Sequence, residues 1–267
     1  MRAWLDLYRS LGRVSIAQQL QYRASGMIWM IGGILEPTIY LVVWSTVARG
    51  EGGMAGGYTP GDFAAYFIVQ LLVSHLTFSW IMHEFQFRIQ QGELSALLLR
   101  PVHPIHGDIA DNLAYKLVMM VVMVPALVVL SLLFHPHFDI EPWAAALFVP
   151  ALLLAFAVRF LFEWCLALVA FWTTRVNAVN QTYFALHAFL SGRVAPITLL
   201  PGILPTLALG LPFYWMLAFP VELLLGRLSP DEAVRGLGAQ LLWALASLGL
   251  LALLWRSAVK RYSAVGA

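Results

Sequence analysis

The feature that most restricts this chain is a series of apolar blocks, each near the length needed to cross a bilayer. The hydrocarbon core is about 30 Å thick, and a helix needs about 20 residues to span it. Such blocks lie at residues 26–47, 63–82, 113–133, 143–172 and 237–255, and a proline-broken apolar block fills 179–226. Of the 267 residues, 61% are hydrophobic and only 11% charged, against about 25% charged in soluble domains. Polar surface is too scarce to cover such a fold in water, so lipid is its solvent. The expected fold is an all-α polytopic membrane protein. The single cysteine, Cys165, lies inside an apolar run, so no disulfide framework exists.

Residues 3–21 read as an amphipathic helix, with Trp4, Leu7, Tyr8, Leu11 and Val14 at helical spacing and Arg9 and Arg13 on another face. A helix of this kind over residues 1–24 suits the lipid headgroup boundary. Packing on protein is the alternative. Arg2, Asp6, Arg9, Arg13 and Arg23 interrupt the segment, which is unlike the continuous apolar core of a cleavable signal.

Basic residues orient the spans. Lysine and arginine concentrate on the cytoplasmic side of membrane proteins. Here they gather in the N-terminal segment, between the second and third spans, and after Trp255, while the loops after spans one and three hold only Arg49. Both termini are therefore expected in the cytoplasm, in a bacterial-type cytoplasmic membrane. Termini on one side require an even number of crossings, and six fit the blocks. The segment 191–226, broken by Pro196, Pro201, Pro205, Pro212 and Pro220, is then expected to dip in and return as a re-entrant hairpin between spans five and six. Irregular backbone at membrane depth is tolerated only inside protein or along a cavity.

Candidate functional residues fall in three groups. The polar segment 83–112 contains GELSALLLRPVHP, bounded by Gly92 and Pro101, with Leu94, Leu97 and Leu98 on one helical row and Glu93 and Arg100 beside them. That row is either a contact for another protein or packing on the ends of spans two and three. Glu36, His75, Arg159, Glu163 and His187 are polar groups inside apolar blocks. Charges at that depth are costly, so Arg159 and Glu163, one turn apart, are expected to pair, either as a structural clamp or along a substrate route. Arg159 is also a candidate partner for Glu36. His75 and His187 read as packed, hydrogen-bonded residues or as proton carriers. Two further clusters are His103, His106, Asp108 and Asp111, and His135, His137, Asp139 and Glu141. A metal site at either is weighed against a plain polar turn, and the turn is preferred because neither H-E-x-x-H nor zinc spacing appears. No catalytic or metal-ligating residue is assigned. The chain has two lysines, Lys116 and Lys260, and neither sits in G-x-x-x-x-G-K-[ST], so ATP chemistry belongs to another chain.

Taken together, the whole chain resembles the permease subunits of ABC-2 type exporters. GELSALLLRPVHP is similar to the coupling segment of that family, with Gly92, Leu94, Leu97, Leu98 and Pro101 matching its pattern. Ser191-Gly192, Pro196, Leu200-Pro201, Leu211-Pro212-Phe213, Pro220 and Gly226 resemble its re-entrant hairpin, while Arg193 departs from the apolar character expected there. The resemblance implies one transmembrane domain over 1–267 and a homo- or heterodimer of permeases. It also implies two separate ATPase subunits carrying ATP and Mg. The hairpin, with Ser191, Gly192, Pro196, Pro201, Pro212 and Phe213, would serve as an outer gate. The expected activity is outward transport of a small amphiphilic compound or a lipid-linked molecule, with no cofactor in this chain and no nucleic-acid partner. The rival from another class is a polytopic membrane enzyme acting on lipid-linked substrates, with its site at 103–111. A secondary transporter is a third reading, and the inverted repeats usual there are not found.

Overall fold

A computed structural model of the chain describes residues 2–173 and 176–262. Arg175, expected in a short turn, lies outside the described residues. Among those described, the structure is helical, with one isolated bridge between Ala55 and Tyr58 and no strand. The helices are α1 (Arg2–Gln21), α2 (Arg23–Gly50), α3 (Pro60–Thr77), α4 (Ile81–Gln90), α5 (Glu93–Leu98), α6 (Ile105–Phe134), α7 (Pro142–Ala167), α8 (Val176–Leu190), α9 (Leu204–Gly210), α10 (Pro212–Met216), α11 (Ala218–Leu224) and α12 (Pro230–Arg261). Short 3-10 turns follow α7 at Leu168–Phe171 and precede α9 at Ile197–Leu199.

Among the described residues, five segments are long and apolar enough to cross a membrane: Arg23–Gly50, Pro60–Gln90, Ile105–Phe134, Pro142–Phe171 and Pro230–Arg261. The fifth sequence block supplies instead α8, of 15 residues. At 1.5 Å per residue it is roughly 22 Å long, short of a full crossing. Pro37, Pro125 and Pro150 stay inside continuous helices. The second span, by contrast, breaks at residues 78–80 between α3 and α4.

Local chemistry sets where elements begin. Thr59 caps α3 and Ser229 caps α12, each in a reciprocal capping box with the acid three residues on, Asp62 and Glu232. Proline follows each cap at the first helical position, where its fixed φ costs nothing.

The helices put two distinct groups of loops at opposite ends of the bundle. At one end lie both described chain termini and the 91–104 segment. The Tyr8 hydroxyl meets His106 Nδ1 at 2.7 Å, Ser15 bonds Asp111, and Ser95 Oγ lies 2.7 Å from the Tyr262 hydroxyl. α1 is thus packed along the start of α6, with the half-exposed Trp4 ring 5.1 Å from that of His106, and leaves Val14 exposed. At the opposite end the 51–59 and 135–141 loops meet the segment after α11. His137 N–H donates to Gly61 O at 3.0 Å, and Arg227 pairs with Asp62 at 3.1 Å and lies over the Tyr58 ring.

Candidate functional site

A cavity of about 620 Å³ runs mainly between α2, α3, α4 and α6, with Gln18 and Gln19 of α1, Arg159 of α7 and Arg193 completing its wall. Its wall on α6 extends from Asp108 to Met123, roughly 22 Å of helix. At the terminal end it is polar, with Gln18, Glu84, Arg88, Asp108 and Asp111; further in it is lined by Trp29, Met30, Phe78, Trp80 and Tyr115; beyond them lie Glu36 and Arg193. Of the charged and polar residues singled out in the apolar blocks, Glu36, His75 and Arg159 reach this cavity, whereas Glu163 and His187 are not part of its wall.

Two ion pairs tie charges to the bundle, Arg159 with Glu163 and Arg193 with Glu36. Arg159 Nε donates to Glu163 Oε1 at 2.8 Å, and the Tyr183 hydroxyl donates to the same oxygen at 2.8 Å. Both charged side chains are almost fully enclosed, at 3% and 1% exposure. Both contacts fall on Oε1 of Glu163, while its Oε2 is buried with no hydrogen-bond partner among the described residues. Glu36 does not meet Arg159. Arg193, from the segment after α8, grips it with Nη2 at 2.6 Å and Nε at 3.0 Å. The fork geometry suits a carboxylate and fixes orientation. This pairing explains the departure at Arg193: the charge is half-buried at the bundle wall, opposite its counter-ion. His75 Nε2 lies 3.1 Å from Lys116 O, and the buried His187 has Ser191 Oγ at 3.4 Å from its Nδ1.

Where the backbone leaves helical geometry, side chains take up its polar groups. At the α3–α4 break, Lys116 Nζ donates to Phe78 O at 2.7 Å, and Arg159 lies over the Phe78 ring. After α8, three successive carbonyls each find a donor. Tyr66 hydroxyl reaches Gly192 O at 2.9 Å, Gln70 Nε2 reaches Arg193 O at 3.0 Å, and Trp44 Nε1 reaches Val194 O at 2.8 Å. With no water to bond these groups, each unpaired carbonyl would cost several kcal/mol, on the order of 2–7. Gly192 holds φ at 83°, and a Cβ there would approach Ala218 Cβ to 2.7 Å. Ser191, Gly192, Pro196, Pro212 and Phe213 are buried, with Phe213 packed against Tyr183 and His187, and only Pro201 among these gate candidates is exposed. Two residues of the segment lie at the loop end: Leu199 packs on Gly56 and Gly226 abuts Asp139 O.

In the 91–104 segment the leucine row takes the second of its two open destinations. Gly92 takes φ 74° and turns the chain into α5. Leu94 is fully buried among Ile81, Met82 and Phe85, and Leu97 and Leu98 lean on the same core. This leucine row therefore packs inward on the ends of the spans, and Leu94 offers nothing to another protein. The outward face is Glu93, Ala96, Leu99, Arg100 and Pro101, with Leu99 88% exposed. The four polar residues at 103–111 separate onto different partners: His103 onto Trp255 (4.4 Å) and Trp164 (5.7 Å), His106 onto Tyr8, Asp108 onto Arg88 and Asp111 onto Ser15. At the loop end His137 lies 3.5 Å from Asp62.

A comparison with protein families matches residues 34–266 to the ABC-2 family transporter protein. The chain belongs to the ABC-2 transporter family. A comparison with curated proteins finds no match. Membership makes this ABC-2 protein a multi-pass transport component of the membrane, not itself a catalyst, and implies association with an ABC ATPase. Several residues that organise this ABC-2 chain escaped sequence reasoning. Lys116 counted only as a basic residue and Arg227 drew no notice, although one satisfies a broken helix and the other ties the 51–59 loop and the start of α3 to the segment after α11. Tyr66, Gln70 and Trp44 carry no sequence signal as donors, because their acceptors lie more than 120 residues away.

Proposed function

We propose that this chain is the permease subunit of an ATP-driven exporter in a bacterial-type cytoplasmic membrane. Two permease copies, identical or not, would work with two ATPase subunits that hold ATP and Mg. The fifth of six crossings would be α8 continued by the irregular segment 191–200, and α9 to α11 would form a re-entrant hairpin on the outer side. The positions of Leu199 and Gly226, both against the loop end, support that path. Cargo would be a small amphiphile leaving between the two copies.

The observation that carries this reading is the exposed turn after α5, in a family whose members work with an ATPase. Leu99 is 88% exposed on the bundle end that holds both termini. Burying a leucine contributes about 1.5–3 kcal/mol, whereas exposed pairs through Glu93 or Arg100 contribute about 0–1 kcal/mol. Leu99 therefore dominates any docking there. Purification of the tagged chain from its native membranes should co-isolate an ABC ATPase. Leu99→Asp should reduce that recovery roughly tenfold with the amount of inserted chain unchanged. Undiminished recovery would contradict the assignment of this turn.

A further inference from the structure

We propose that the cavity between α2, α3, α4 and α6 is a binding site for an organic cation carried on an aromatic or otherwise apolar body. Three carboxylates at its mouth, Glu84, Asp108 and Asp111, face one guanidinium, Arg88. Arg88 contacts Glu84 at 3.3 Å and Asp108 at 2.7 Å, and Asp111 is met by the neutral hydroxyl of Ser15. Two negative charges therefore stay uncompensated at the rim. Asp108 is 3% exposed, and its Oδ2 has no hydrogen-bond partner among the described residues. A buried carboxylate oxygen left unpaired is costly, and a cation in the cavity would relieve it.

The other charges around the space reduce that excess by one, through Lys116, which has no carboxylate partner among the described residues, and leave the site net negative. Arg159 is held by Glu163, Arg193 is held by Glu36, and Lys116 is turned onto Phe78 O. Above the mouth stands a wall of rings. Trp29 and Trp80 lie 5.3 Å apart, Phe78 and Trp80 5.9 Å, and Phe78 and Tyr115 6.5 Å. Ring faces attract cations, most strongly where water is excluded. Acid at the rim and aromatics above it match a ligand whose charge and apolar body are close together. An anion would meet the carboxylates, and a neutral apolar ligand would leave them unrelieved. The site rests on the transport reading only for its consequence, that its occupant is cargo; binding itself needs no ATPase.

The test uses the purified full chain in dodecyl maltoside, titrated calorimetrically with tetraphenylphosphonium and with its shape-matched anion tetraphenylborate. The cation should bind saturably at one site and the anion should not. Glu84→Gln/Asp111→Asn, at the accessible rim, should weaken binding about tenfold or more with unchanged thermal stability. Asp108→Asn should do the same if it folds. Added phosphatidylcholine separates two sources of the same chemistry. Displacement of the probe would assign the site to a lipid choline headgroup, and no displacement to a free cation. Equal binding of the anion, absent saturable cation binding, or full affinity in the double variant would overturn the proposal. Recovery of an ATPase with a chain that fails to bind the cation would overturn this site alone and leave the exporter reading standing.

Discussion

Arg159, Glu163 and Tyr183 form a buried knot in which one carboxylate oxygen receives both a guanidinium and a hydroxyl. Removing one partner of such a pair strands the other, at about 3–5 kcal/mol, whereas replacing both with apolar residues is often neutral. Glu163→Ala should therefore lower thermal stability sharply, and Arg159→Met/Glu163→Met should recover most of it. A double variant as unstable as the single would contradict the stranded charge as the cause of the loss. His103 gives a pH prediction. Burial between Trp164 and Trp255, and then the neighbouring His106, hold its imidazole below the ordinary 6.5. A depressed folded value means that the neutral ring stabilises the fold above about pH 6.5, and that this contribution disappears as pH falls through the folded value. Amide protection factors across 92–104, corrected for the intrinsic pH dependence of exchange, should therefore fall below about pH 6.5, and His103→Phe should flatten that dependence. At this scale the sequence was partly legible. The spacing of Arg159 and Glu163 predicted their bond, but nothing could join Glu36 to Arg193, 157 residues away.

At the scale of elements, two irregular places decide how the helices fit. The α3–α4 break has neither proline nor glycine at Phe78, Ser79 or Trp80, so no local signal announced it. It is held by a tertiary bond from Lys116. Lys116→Met should cost about 1–3 kcal/mol by leaving Phe78 O unpaired, read as a lower thermal midpoint than the wild type. The segment after α8 was legible as irregular from its prolines, and its burial followed from the absence of water. Its register was not, because it depends on three donors from α2 and α3. Gly192→Ala should destabilise more than Gly202→Ala. Both glycines have positive φ, a strain of about 1–2 kcal/mol for alanine. Only at Gly192 would the new methyl also strike Tyr66 and Ala218. Equal losses would show that packing at Gly192 is looser than the geometry implies. The leucine row of α5 had the right period and two destinations open. The core at Phe85 takes it because a fully apolar side chain gains more by burial there than by exposure at the membrane face.

For the whole molecule, the length of the apolar blocks and their charge asymmetry sufficed for an all-α membrane bundle, since lipid leaves a chain of this composition few alternatives. The cavity was not legible: its walls come from six helices and the segment after α8, and only meet when the bundle forms. The central claim is that the two ends of the bundle face opposite sides of the membrane, with the Leu99 turn on the side where ATP is hydrolysed. Cys165, the one native cysteine, is buried, so a single introduced cysteine can report on its own position. Met54 is 54% exposed at the loop end and Leu99 88% exposed at the terminal end. The most direct measurement is labelling of Met54→Cys and Leu99→Cys in intact cells with a membrane-impermeant maleimide. The account predicts that the first reacts at once and the second only after the membrane is permeabilised. Labelling of Leu99→Cys in intact cells would contradict it.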